Sequence, residues 1–313
     1  VTRWLGALGW AAVAAGVTRA AAAQDEHVLI VTGLPGEPRF AATFHAAAAS
    51  LYEVARQGWA VGESSLVYLG ADPGLDAARI RGPSTKDAVA RELVALSRRV
   101  APGDVVLLFL LAHGSGSGPG SRLSLPGPDA TAADFGAWLA GFPHQTVVVV
   151  NAGSASGDFV DVLAGPRRVI VTATRSAAER NETLFPEHYV RGLAGGAADA
   201  DKDGRTSVRE AFDYARREVA RAYETDRRLQ TEHPRLSDSL LAAAVSFGGP
   251  STAAPDPRVA TLIAERRGLE AQVAELRGRK AAMDAAAYER ELERLLLAIA
   301  AKTQAIRAAG GQP

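Results

Sequence analysis

Two apolar runs in this chain each end in residues that can do chemistry. Leu107-Leu108-Phe109-Leu110-Leu111-Ala112 leads into His113-Gly114-Ser115, and Val147-Val148-Val149-Val150 leads into Asn151-Ala152-Gly153-Ser154-Ala155-Ser156-Gly157. A histidine changes charge near neutral pH and can take a proton from a hydroxyl within hydrogen-bond reach, so His113 and Ser154 form a candidate base and nucleophile. Gly114 lacks a side chain that would hold a substrate carbonyl away from the main chain. Its N–H and that of Ser154 are therefore candidate oxyanion donors. The same residues have plainer uses: a strand-end histidine bonds a loop carbonyl, and Ser154 serves as N-cap for a helix over residues 158–163.

A second chemistry lies at residues 199–210. Side-chain oxygens of Asp199, Asp201, Asp203, Ser207 and Glu210 fall at the first, third, fifth, ninth and twelfth places of this stretch, with Gly204 at the sixth. That is the spacing of an EF-hand loop, in which the carbonyl at the seventh place, here Arg205, also coordinates and the last glutamate binds Ca²⁺ with both oxygens. Val208, Phe212, Ala215, Val219 and Tyr223 then recur on one face, as a following helix requires. Gly195-Gly196 interrupts the preceding helix, no second loop is present, and Thr206 stands where a branched apolar residue usually packs. A lone loop of this kind is expected to be a structural Ca²⁺ clamp rather than a sensor.

These residues need elements to place them. Apolar runs at His27–Gly33, Ser65–Gly70, Asp104–Ala112, Gln145–Val150 and Arg168–Thr174 alternate with helical patterns. One is Phe40–Gln57, with Phe44, Ala48, Leu51 and Val54 on one side; another is Thr85–Val100, with Val89, Leu93 and Leu96. The alternation predicts an α/β domain, its mostly parallel sheet covered on both faces, and a parallel sheet delivers His113 and Ser154 to one carboxyl edge. Leu240–Phe247 is expected to add an edge strand.

His113-Gly114-Ser115 after the third strand and Ser154-Ala155-Ser156-Gly157 after the fourth resemble the His-Gly and Cys-Glu-Ser-Gly elements of the legumain family, and the order of elements is similar over residues 26–247. The resemblance implies a caspase-like sheet carrying a histidine–cysteine dyad that cleaves after Asn or Asp. It puts His113 in the place of the catalytic histidine, Gly114 in that of the oxyanion glycine and Ser154 in that of the nucleophile. Serine replaces the family's cysteine, and Ala155 replaces the acidic residue that helps to line its specificity pocket. A thiol is partly ionised near neutral pH, whereas a hydroxyl needs a strong base with an orienting acid of its own. The expected function is accordingly a non-catalytic peptidase homologue that binds peptides or partner proteins at the carboxyl edge. The alternative is an active endopeptidase with Ser154 as nucleophile and His113 as base. A further alternative is an assembly module acting through the C-terminal helices.

With 35 basic and 35 acidic residues and no basic stripe, the chain lacks the footprint of a nucleic-acid binder. It has no cysteine, which excludes both a thiol nucleophile and disulfides. Arg3, the apolar Trp4–Val17 and the small residues Ala20–Ala23 read as a secretory signal over residues 1–23, too short to span a bilayer. The expected location is periplasmic or secreted, with no membrane span after cleavage. Residues 24–247 make the α/β domain and 248–257 a Gly/Pro/Ser-rich linker. Over 258–308, Val259, Leu262, Leu269, Val273, Leu276, Tyr288, Leu292, Leu295, Ile299 and Ile306 recur at three- and four-residue steps. They predict two amphipathic helices folded as a hairpin or coiled coil about Gly278–Asp284, with self-association as a possible use of the stripe. Arg39, His233 and the sequon Asn181-Glu182-Thr183 are read as surface features.

Overall fold

A computed structural model describes residues 25–194, 196–248 and 257–308. Residues 1–23, read above as a secretory signal, and most of the expected linker lie outside the described residues. The strands are β1 (Glu26–Thr32), β2 (Leu66–Gly70), β3 (Gly82–Pro83), β4 (Val105–Leu111), β5 (Gly114–Ser115), β6 (Arg122–Leu123), β7 (Ala130–Thr131), β8 (Thr146–Asn151), β9 (Arg168–Thr172), β10 (Thr206–Ser207), β11 (Arg235–Leu236) and β12 (Ser246–Phe247). The helices are α1 (Pro38–Glu53), α2 (Lys86–Ser97), α3 (Ala132–Leu139), α4 (Phe159–Leu163), α5 (Phe185–Leu193), α6 (Val208–Thr225), α7 (Ser239–Ala244), α8 (Pro257–Gly278) and α9 (Ala285–Ala308).

Seven strands form one sheet in the order β11-β9-β8-β4-β1-β2-β3, parallel throughout except for β11. Because strand side chains alternate, Val28, Ile30, Leu107, Phe109, Val148 and Val150 pack on Phe44, Leu51, Phe185, Tyr189, Phe212 and Val219 of α1, α5 and α6. The intervening residues Leu29, Val31, Leu108, Leu110, Val147 and Val149 pack on Val89, Leu93, Phe135, Leu139, Phe159 and Leu163 of α2, α3 and α4. Covering both faces explains why β4 is apolar at all seven positions. The chain runs outward from β1 through β2 and β3, then returns to β4 and continues through β8 and β9 on the other side. The loops leaving β1 and β4 therefore diverge, and this reversal of strand order opens the crevice in which open α/β sheets place their ligands.

Two local readings change. Leu240–Phe247 is not an edge strand: the Asp238 carboxylate accepts from the N–H groups of Leu240 and Leu241, both at 3.0 Å, and starts α7. Leu-Leu-Ala-Ala-Ala favours a helix once capped. Phe247 then pairs with Thr206 in a separate two-stranded ribbon, and the sheet edge is β11 instead, antiparallel to β9. Helix α1 ends in a π-helical turn over Val54–Gly58, which buries Ala55 while Val54 is half-buried.

The C-terminal segment is an antiparallel helical hairpin. α8 and α9 share a core of Val273, Leu276, Tyr288 and Leu295 with Leu269, Leu292 and Ile299 around it. Leu262 meets Ile306, and Lys302 pairs with Glu265 at 2.5 Å, which fixes the antiparallel register. A turn through Lys280–Ala282 follows Gly278, and Asp284 accepts from the Ala287 N–H at 2.9 Å to start α9. No helix among the described residues is long and apolar enough to cross a membrane.

Candidate functional site

Strands β4 and β8 run in register, Leu110 opposite Asn151, so the loops after them emerge side by side. They are pressed together. A Cβ on Gly153 would stand 1.9 Å from the Ala112 carbonyl oxygen, and one on Gly114 would stand 2.4 Å from that of Ser154. Both glycines are needed because main chain meets main chain. Ala155 takes up a left-handed backbone (φ 51°), and its N–H donates to the Glu179 carbonyl at 2.7 Å. Left-handed backbone at a non-glycine residue persists only where surrounding contacts fix it.

His113 is half-buried between two aromatic rings of α1, with centroids 4.7 Å from Phe40 and 5.3 Å from Phe44. Its Nε2 lies 3.0 Å from the carbonyl oxygen of Pro35, in the loop after β1. A carbonyl can only accept, so Nε2 carries a proton, and in the neutral ring the lone pair is on Nδ1. This bond bridges the crevice between β1 and β4. Ser154 is 5% exposed, and its Oγ accepts from the Gly114 N–H at 3.4 Å. No hydrogen bond joins His113 to Ser154, and among the described residues no carboxylate bonds the His113 ring. The plainer reading of Ser154 is corrected: α4 takes Asp158 as its N-cap, and no side chain caps it. The Asp158 carboxylate instead ties two loops, accepting from the N–H groups of Gly118 at 2.7 Å and Ala177 at 3.4 Å.

Several participants carry no sequence motif. The Thr174 hydroxyl accepts from the N–H groups of Ser156 at 2.8 Å and Gly157 at 3.0 Å and so shapes the turn after Ser154. Glu179 holds His233 through Nδ1 at 2.6 Å, and Arg39 lies over the Phe40 ring while pairing with Glu37. Across the crevice, Asp76, His45, Tyr68 and Thr32 form a polar chain with successive distances of 3.4, 3.3 and 3.2 Å. Burial pushes the Tyr68 hydroxyl up to about 12, so it stays protonated. A small pocket of about 50 Å³ beside this chain is lined by Pro35, Phe44, His45, Leu75 and Ile80 among others. It shares Pro35 and Phe44 with the surroundings of His113.

In the acidic loop, Asp199, Asp201 and Asp203 offer carboxylate oxygens within 4.8 Å of one another. The turn is held by the Gly204 N–H on Asp199 at 2.9 Å and the Arg205 N–H on Asp203 at 2.8 Å. Ser207 and Glu210 form the capping box of α6. Glu210 Oε1 also accepts from the N–H groups of Ala200 at 3.1 Å and Asp201 at 3.3 Å, which brings the last position of the loop to its first turn. The Arg205 side chain turns away to the Ser246 carbonyl at 3.4 Å. The β10–β12 ribbon through Thr206 supplies the strand pairing that a second loop would otherwise give. Burial pushes the Asp203 carboxyl up to about 6 despite the Arg267 guanidinium beside it, and burial likewise raises Asp199 and Glu210. The donor set fits a hard divalent cation or a guanidinium.

No family model and no curated protein matches this chain. Among solved structures it is similar to the crystal structure of a Geobacter sulfurreducens protein, a structural genomics target, at 14% identity and a TM-score of 0.42 over 73% of this chain and 96% of that one.

Proposed function

We propose that the chain is an exported, caspase-like α/β domain that does not catalyse peptide cleavage and instead binds extended peptides or partner proteins at the carboxyl edge of its sheet. The observation that carries this reading is the His113–Pro35 bond. A neutral carbonyl orients the imidazole and fixes its tautomer, but it stabilises an imidazolium less than a carboxylate does. That is enough help for a thiol, which is already partly ionised near neutral pH, and too little for the Ser154 hydroxyl. The Gly114 N–H, the expected oxyanion donor, is engaged by Ser154 itself. What remains is a crevice with a fixed histidine and a small pocket lined in part by the exposed Leu75. Residues on such edges serve recognition as readily as catalysis.

Two measurements test the reading. A fluorophosphonate probe should leave Ser154 of the folded chain unlabelled; labelling that Ser154→Ala and His113→Ala both abolish would establish the endopeptidase instead. Peptides selected on the folded chain from a random display library should lose binding on Leu75→Glu, an exposed position that leaves the core intact. Failure to select any binder, or binding indifferent to Leu75→Glu, would overturn the edge as the binding site.

A further inference from the structure

Helix α8 reaches back to the acidic loop and sets two arginines on two of its three clustered aspartates. Arg266 is 4% exposed with its Nη2 2.5 Å from Asp201 Oδ2, and Arg267 pairs with Asp203. Beside them Glu270 is 1% exposed and its Oε2 has no hydrogen-bond partner. The Glu270 Oε1 stands 3.7 Å from Arg266 Nε, which also lacks a hydrogen bond. The loop has thus bound a cation, and the same chain supplies it. The unsatisfied buried atoms around that cation mark an imperfect fit, and such atoms cost stability.

The same carboxylates have the spacing of a Ca²⁺ loop. Ca²⁺ takes carboxylate oxygens at about 2.3–2.6 Å. An ion so placed on Asp201 and Asp203 would lie within about 5 Å of both guanidinium groups, and at that range buried like charges repel strongly. We infer that Ca²⁺ and the Arg266–Arg267 pair compete for Asp201 and Asp203, so that Ca²⁺ binding releases the first half of α8 from the α/β domain. The two arginines act as a built-in surrogate cation. The far end of α8 stays attached through Leu240 and the Arg277–Asp238 pair, so the movement is confined to the end of the hairpin near the loop.

The test is a calorimetric Ca²⁺ titration of the full chain and of Arg266→Gln/Arg267→Gln, with amide exchange followed over residues 258–270. The double variant should bind Ca²⁺ at least ten-fold more tightly than the wild type, and saturating Ca²⁺ should speed exchange of these amides in the wild type. Arg266→Lys/Arg267→Lys keeps the charge without the planar fork and should fall between the two; with the wild-type exchange data it decides the matter if the glutamine variant does not fold. Equal or weaker binding by the variants, slower exchange in Ca²⁺, or no binding by any of the three proteins at millimolar Ca²⁺ would each overturn the competition.

Discussion

Replacing Ser154 by cysteine asks directly whether the carbonyl-held histidine can act on position 154. The chain has no cysteine of its own, so every thiol signal would come from that one residue. A free thiol titrates near about 8.5 and is about one-tenth ionised at pH 7.5. The Gly114 N–H, 3.4 Å from Ser154 Oγ, would favour a thiolate over a thiol by about 1 kcal/mol, because a charged acceptor strengthens the bond, and that lowers the titration by about 0.7. If the thiol proton passes to the His113 Nδ1, with Nε2 held by the Pro35 carbonyl, the imidazolium so formed lowers the titration by about one unit more once the larger sulfur comes within reach. Burial works the other way, since the site is 5% exposed, and takes back part of the gain. The expected titration midpoint is about 7, so roughly three-quarters of the thiol is ionised at pH 7.5. Iodoacetamide alkylation followed by mass spectrometry across pH 5.5 to about 9.5 reads that midpoint. In Ser154→Cys/His113→Ala it should rise by about one unit, to about 8, because the Gly114 N–H is still in place. A midpoint already at that value in the single variant, or one unmoved by removing His113, would refute the assignment of His113 to position 154.

Other expectations follow from packing and burial. Gly153→Ala should cost about 3 kcal/mol in urea unfolding, because the added carbon meets the Ala112 carbonyl, whereas Gly136→Ala should stabilise by up to about 1 kcal/mol, since its Cβ finds only Leu163 at an ordinary 3.7 Å. Burial pushes the Glu232 carboxyl up to about 7, although it accepts from the N–H groups of Leu184 and Phe185 at the start of α5. Its folded titration lies above the ordinary one, so the stability it gives is complete below about pH 4.5 and is lost as pH rises through 7, by at most about 3 kcal/mol. Glu232→Gln should flatten the melting temperature over that window, and an unchanged slope would count against the assignment. Leu295→Ala in the hairpin core should cost about 2–4 kcal/mol and speed amide exchange in α8 and α9 while sparing the central strands.

The sheet was legible because β4, β8 and β9 announce themselves as short apolar runs between turn residues, and the polar groups ending the first two necessarily reach one edge. The Pro35 contact to His113 was not legible, because it is made by a main-chain oxygen that any residue would provide. Leu240–Phe247 reads equally well as a strand or a buried helix; the deciding signal was Asp238, a capping residue two places upstream. Ser154 reads as a cap on composition alone, but the tight turn through Ala155 carries it toward Gly114 instead. The loop carboxylates were visible from spacing. Arg266 and Arg267 were not, because a heptad reading treats charged residues beside the apolar stripe as solvent-facing, and only the docking of α8 shows that they are covered.

Both borders of the central sheet are made of two-residue strands. β3 is Gly82–Pro83, and a proline offers no N–H to an incoming chain. β11 is Arg235–Leu236, whose guanidinium holds Asp161 at 2.9 Å and reaches the carbonyls of Gly157 at 3.3 Å and Arg175 at 3.4 Å. Between these guards lie strands such as Thr-Val-Val-Val-Val-Asn, apolar on both faces and the kind of segment that seeds intermolecular sheets when its edge is bare. Protection is therefore uneven. On one side it is chemical and permanent, whereas on the other it rests on Arg235 and on Ser237, whose N–H and hydroxyl both bond the Ile170 main chain at 2.9 Å, and a chain in which β11 peels away would present the whole length of β9 to its neighbours long before the core unfolds.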